Sequence, residues 1–199
     1  DDYGRSPEIN NAIISAAQNG LVQIISILPN KVSRSQINTL RRLKPIRFSA
    51  HLNLVEGKPV SEPSRVSSLI NSQGQFWALP QFLLRLCLGL IDLQEVYLEL
   101  SNQIYRLRTL GINIVHINSH RHTHLFPPIW NLVLKLARKR NINQIRSQAS
   151  IRQALKSHPG KYLFHWPIFW ILQLRYGPNK SSAQELHEIV MHPGAAYYD

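Results

Sequence analysis

The segment His116-Ile117-Asn118-Ser119-His120-Arg121-His122-Thr123-His124 places four histidines at even spacing. Side chains two residues apart point to the same face of an extended chain. We therefore expect one face to carry His116, Asn118, His120, His122 and His124. The apolar run 112–117 precedes the histidines and predicts a buried strand that ends in a polar pocket. Imidazole binds divalent metals and exchanges protons near neutral pH, so this pocket is a candidate functional site rather than a merely polar strand end.

Strands and helices are predicted to alternate along the rest of the chain. Apolar residues at helical spacing predict helices at 10–19, 33–43, 92–110, 128–140 and 181–187. Short β-branched or alternating runs predict strands at 22–28, 46–54, 112–118, 142–146 and 188–191, and the stretch 56–76 has the composition of a loop. This alternation predicts an α/β fold with a parallel sheet and helices outside it.

Several residues that bind metals or move protons follow different predicted strands. His51 lies in the second half of its strand, and His120 and His192 come just after theirs. Asp1 and Asp2 would follow a further strand that we expect this chain to lack. Each residue alone has an ordinary explanation, such as a core histidine, a turn cap or a solvated acidic pair. Because functional groups of parallel α/β folds gather at the carboxyl ends of strands, their joint placement predicts one site.

Composition limits the classes of protein that fit this chain. Its 199 residues suit a single domain, residues 1–199. The single cysteine, Cys87, lies in an apolar run and predicts packing rather than a disulfide. No apolar run reaches the length of a membrane span and no signal peptide is visible, so we predict a cytoplasmic protein.

The net charge of +12 allows nucleic-acid binding as an alternative function. The basic residues are scattered, and the densest cluster, residues 135–140, is explained by a solvated helix end. We therefore expect no nucleic-acid partner.

Four sequence blocks match a known family in their order along the chain. They are Asp1-Asp2-Tyr3-Gly4 with Ser6-Pro7 and Asn10, His51 to Val60, Ser119 to Pro127, and Glu188 to Gly194. In these blocks the chain resembles the YdjC-like carbohydrate deacetylases, which include chitooligosaccharide deacetylase and the hopanoid-biosynthesis deacetylase-like proteins. The resemblance implies a distorted (β/α) barrel of the TIM type, with its first strand absent from this chain.

The resemblance also implies a reaction and the residues that perform it. A divalent metal would be held by Asp2, His51 and His120, and Asp1 would act as the base on a metal-bound water that hydrolyses the N-acetyl group of an acetylated carbohydrate. The family implies magnesium, whereas two imidazoles and one carboxylate equally suit Zn, Co, Ni or Mn. An acid must protonate the leaving amine, and we assign His192, with His124 or His122 as the second choice.

The third block departs from the family, whose pattern there is commonly His-x-Asp-Ser. Asn118 replaces the aspartate, which removes an acidic partner for a ligand histidine and is expected to weaken metal binding or activity. An alternative function is therefore an inactive metal- or sugar-binding remnant of the same fold. Three tryptophans could stack on sugar rings, although core packing is the favoured explanation for any single one of them: Trp77, Trp166 and Trp170.

Overall fold

The centre of the protein is a parallel four-stranded sheet. The computed structural model describes residues 1–43, 45–146 and 165–176, with side chains of the last helix described from residue 171. The strands are β1 (Ile24–Ile27), β2 (Arg47–Leu52), β3 (Ile114–Ser119) and β4 (Gln144–Ile145), adjacent in the order β1-β2-β3-β4. The parallel sheet with flanking helices confirms the predicted α/β class. Closure into a barrel stays a prediction.

Six helices accompany the sheet in the described part of the chain. They are α1 (Pro7–Gln18), α2 (Arg34–Arg41), α3 (Leu79–Leu88), α4 (Leu93–Thr109), α5 (Pro127–Lys139) and α6 (His165–Tyr176). Three short 3-10 turns add Pro63–Arg65, Ser67–Leu69 and His120–Leu125. The predicted helix 181–187, the predicted strand 188–191 and His192 lie outside the described residues.

Capping residues fix the starts of the first two helices, and α1 begins at Pro7, three residues before the predicted helix 10–19. Ser6 accepts a hydrogen bond from the amide of Ile9, and Ser33 forms a reciprocal capping box with Gln36. Helix α3 was not predicted, although Leu79, Phe82, Leu83 and Leu86 recur at helical spacing, and Ala78 at its start offers no capping side chain. Burial of its apolar face, which includes Phe82 and Leu86, stabilises this helix in place of a cap.

The two faces of the sheet differ in polarity. The strand register places Ile27, Ala50 and Ile117 in one row, and all three are fully buried. Because side chains alternate along a strand, the rows before and after it point to the opposite face. Those rows are polar and equally buried: Ser26, Ser49, His51, His116 and Asn118. One face of the sheet therefore supplies the core, and the other supplies a polar layer.

The chain stops being extended at the end of β3. Residues His120–Leu125 form a 3-10 turn in which Arg121 and His122 have φ angles of 52° and 54°. Such left-handed values are uncommon outside glycine and break the alternation of faces. The prediction that His120, His122 and His124 share one extended face with His116 and Asn118 is therefore wrong. Only His116 and Asn118 lie on the same face of the strand.

None of the helices described, including α6, combines the length and the apolar character that crossing a bilayer requires.

Candidate functional site

The first sequence block forms the turn that brings the amino-terminal carboxylates to the sheet. Tyr3 pairs in parallel with Ile27 on the edge of β1 that faces away from β2. Its amide donates to Ser26 O at 3.1 Å, and its carbonyl accepts from Leu28 N at 2.9 Å. Gly4 then turns away with a φ of 104°, where a side chain would be strained. This pairing fixes Asp2 at the carboxyl end of β1.

Three side chains that can ligate a metal meet at this edge of the sheet. Asp2 Oδ1 lies 2.8 Å from His120 Nδ1 and 3.2 Å from His51 Nε2. The ligand atoms of the three residues all lie within 4.8 Å of one another. Burial raises the pKa of Asp2, but the contacts of its carboxylate with the rings of His120 and His51 outweigh burial and hold that pKa well below its usual value. One carboxylate and two imidazoles form a donor set that could hold a divalent ion.

Asn118 fixes the orientation of His51. Its carbonyl oxygen lies 2.8 Å from His51 Nδ1, and because a carbonyl can only accept, Nδ1 carries the hydrogen. The lone pair of His51 is then on Nε2, which faces Asp2. This is the arrangement that a ligand histidine needs, so the residues present fit a divalent metal. Asn118 thus supplies an acceptor for His51 at the position where the sequence predicted the loss of an acidic partner.

Asp1 lies beside the three-residue cluster and is held by two donors. Asn118 Nδ2 donates to Asp1 Oδ1 at 3.0 Å, and Arg146 Nη1 donates to Asp1 Oδ2 at 3.0 Å. The same Asn118 amide also donates to Ser26 Oγ at 3.1 Å. A single buried side chain therefore links the candidate base to the candidate ligand His51.

Two residues near the cluster were missed by the sequence analysis. Arg146 directly follows β4, so the same strand-end rule that selected His51 and His120 pointed to it. Glu56 approaches the cluster from the loop after β2, with Oε2 2.8 Å from His120 Nε2. Burial raises the pKa of Glu56, but the Lys31 ammonium in contact with it outweighs burial and lowers that pKa.

His124 is buried and uses both ring nitrogens. Nε2 donates to the carbonyl of Arg146 at 2.9 Å, so Nδ1 accepts from the hydroxyl of Ser119 at 2.5 Å. Burial lowers the pKa of His124 well below its usual value. His124 therefore joins the end of β3 to the backbone of the residue that holds Asp1.

The remaining sequence candidates are placed as follows. His122 is half-buried in the 3-10 turn. Trp77 donates Nε1–H to Ser68 O at 3.1 Å, and the Arg85 guanidinium covers one face of its ring at 4.4 Å from the centroid. The side chains of Trp166 and Trp170 lie outside the described residues. Sugar stacking by a tryptophan stays a prediction.

Beneath the cluster, His116 makes the stability of the fold depend on pH. Its Nδ1 lies 2.8 Å from Ser49 Oγ, and burial, together with the charge of Arg146, lowers its pKa to about 3. Between about pH 6.5 and 3 the unfolded chain binds a proton that the folded chain does not, so stability is lost as the pH falls.

We expect His116→Asn to flatten this pH dependence, because asparagine keeps a polar group near Ser49 but does not titrate. The slope of the unfolding free energy should fall by up to about 1.4 kcal/mol per pH unit in that range. Urea unfolding of the wild-type protein and of His116→Asn at pH 7, 6, 5 and 4 measures this slope. The charges of His51 and His124 are coupled to that of His116, so the difference between the two slopes reports the loss of His116 together with its effect on these neighbours. Equal slopes would contradict the prediction.

Comparisons with known proteins identify the family of this chain. A family model described as "YdjC-like protein" matches residues 1–198. Proteins named carbohydrate deacetylase from Thermoanaerobacter pseudethanolicus and Xenopus laevis are 27% and 33% identical over 71% and 73% of this chain. A third, from Oceanobacillus iheyensis, is 26% identical over 98% of this chain and 83% of its own length.

A solved structure from Enterococcus faecalis V583, named for cellobiose-phosphate cleavage, superposes with a TM-score of 0.65 at 28% identity. The superposition covers 72% of this chain and 55% of that one. The chain spans about half the length of the first two relatives, 56% and 48%.

Proposed function

Because this chain belongs to the YdjC-like protein family, we propose that it is a metal-dependent hydrolase that removes an N-acetyl group from an acetylated carbohydrate. One observation carries the proposal. The chain brings together Asp2, His51 and His120, and a separate carboxylate, Asp1, lies beside them. Relatives of this chain are named carbohydrate deacetylases.

The metal would be held by Asp2, His51 and His120. When bound, a divalent ion supplies a Lewis acid that polarises the amide carbonyl and lowers the pKa of a water molecule. Magnesium is the choice implied by the family, and the donor set also suits Zn, Co, Ni or Mn. Asn118 contributes by keeping the lone pair of His51 on Nε2, the nitrogen that faces Asp2.

Asp1 is proposed as the general base. Its carboxylate oxygens accept hydrogen bonds from Asn118 and from Arg146, which fixes the plane of the group beside the cluster, where a carboxylate can take a proton from the attacking water. Orientation of this kind lowers the barrier because the base does not have to be ordered during the reaction.

The leaving amine needs a proton, and we propose His192 as its donor. His192 lies outside the described residues, so its role rests on its predicted place just after a strand and on the need for an imidazole acid. Among the described histidines, the bonding of both nitrogens of His124 argues against that residue and leaves His122 as the second choice.

Acetate release from N-acetylglucosamine oligomers tests the proposal. We expect metal-stripped protein to be inactive and to release acetate after addition of Mg, Mn, Co, Ni or Zn, with glucosamine oligomers as the control that carries no acetyl group. Metal binding in calorimetry without acetate release would favour the inactive remnant, the alternative that Asn118 in place of aspartate suggests. Absence of both metal binding and release would contradict the proposal.

A further inference from the structure

The carboxylate of Glu56 touches the candidate metal cluster without belonging to it. Its Oε2 lies 2.8 Å from His120 Nε2, while the other nitrogen of that ring, Nδ1, lies 2.8 Å from Asp2. The two nitrogens of His120 thus face different carboxylates, one inside the cluster and one outside it.

A neutral imidazole can bind a metal through one nitrogen only when the other carries its hydrogen. His51 meets this requirement through Asn118, and His120 requires an equivalent acceptor. We propose that Glu56 is a positioning residue that accepts the Nε2–H of His120 and so presents Nδ1 to the metal beside Asp2. This inference rests on the proposed function, because it requires a metal in the cluster.

The loop around Glu56 is built to hold that carboxylate in place. Asn53 Oδ1 accepts from the amide of Glu56 at 3.1 Å, and Asn53 Nδ2 donates to its carbonyl at 2.7 Å. Asn30 Nδ2 donates to the same carbonyl at 3.0 Å. Hydrogen bonds to its amide and to its carbonyl therefore hold the backbone of Glu56 in place independently of the contacts of its side chain.

Two cations keep the side chain of Glu56 in contact with His120. Lys31 Nζ bonds to Oε1, which leaves Oε2 for the imidazole. Arg5 Nε lies 3.8 Å from Glu56 Oε1, and Arg5 Nη1 lies 3.6 Å from Asp2 Oδ2. A carboxylate acceptor makes the partner imidazole a stronger ligand than a neutral acceptor does.

The test is the metal affinity of two Glu56 variants, measured by calorimetry with Mn²⁺ and Zn²⁺. Glu56→Met keeps the size of the side chain but removes the acceptor, and we expect the dissociation constant to rise about 10- to 100-fold. Glu56→Gln keeps a neutral acceptor and should recover part of that loss. The matched control is Glu62→Met, which removes an exposed carboxylate that follows in the same loop and should leave the affinity unchanged.

A third variant separates positioning of His120 from a general effect on the loop. Lys31→Met removes the ion pair of Glu56 but leaves Glu56 itself, so we expect a smaller loss of affinity than in Glu56→Met. An equal loss in both, or wild-type affinity in Glu56→Met, would overturn the role of Glu56 while leaving the proposed function standing. A wild-type protein that binds neither metal would overturn both.

Discussion

Replacing Asp1 by asparagine is expected to lower the rate of acetate release by about 100- to 10,000-fold, the range typical of a lost general base. Asparagine has the same shape but accepts a proton far less readily. Asp1 is not part of the cluster formed by Asp2, His51 and His120, so the dissociation constant of the metal should stay unchanged. The expected pattern is therefore a fall in kcat at full metal occupancy, with little change in KM.

Steady-state acetate release and metal calorimetry on the same samples measure this result. The asparagine amide places a donor against either Asn118 Nδ2 or Arg146 Nη1, so Asp1→Ala serves as a second variant without that conflict. The matched control is Glu62→Gln, which neutralises an exposed carboxylate and should keep the wild-type rate. Near wild-type rates in both Asp1 variants would exclude Asp1 as the base.

The second large effect concerns stability and is expected at Glu99 of α4. This side chain is fully buried, with Oε1 accepting from Val60 N and Oε2 accepting from Ser61 N, both at 2.9 Å. Gln103 also donates to Oε1, at 2.7 Å. Glu99→Leu removes every one of these acceptors and leaves backbone donors unpaired. We expect the free energy of unfolding to fall by about 3 to 5 kcal/mol.

Urea unfolding at pH 7 measures this loss. Glu99→Gln retains one acceptor and should lose clearly less than Glu99→Leu, whereas Gln94→Ala, at an exposed position of the same helix, should change stability by less than about 0.5 kcal/mol. A loss in Glu99→Leu no larger than in Gln94→Ala would show that the loop of residues 53–61 does not depend on these bonds.

The sequence predicted the parallel sheet and most of its helices because hydrophobic periodicity is a local pattern in the chain. Alternation of β-branched runs with helical spacing predicted the parallel sheet and four of the six described helices, α1, α2, α4 and α5. The strand-end rule then predicted that residues from separate segments meet at one edge, and Asp2, His51 and His120 do meet there. The catalytic and metal-binding roles of these residues stay predictions.

Local patterns failed where a long-range contact decided the structure. Helix α3 is a different case, because its apolar residues Leu79, Phe82, Leu83 and Leu86 recur at helical spacing and this local pattern was overlooked. The turn after Ser119 depends on two non-glycine residues with positive φ, which composition does not reveal. Even spacing therefore predicted an extended histidine face that the chain does not form.

The sequence by itself determined the class of fold, the order of the strands and the edge of the sheet at which the candidate site residues meet, because hydrophobic periodicity and strand direction are properties of neighbouring residues. Only the tertiary structure decided the partners: Asn118 between His51 and Asp1, Glu56 on His120, and Arg146 on Asp1. Such hydrogen bonds join residues far apart in the chain, and which pairs form depends on strand register and side-chain reach, which the folded chain alone fixes.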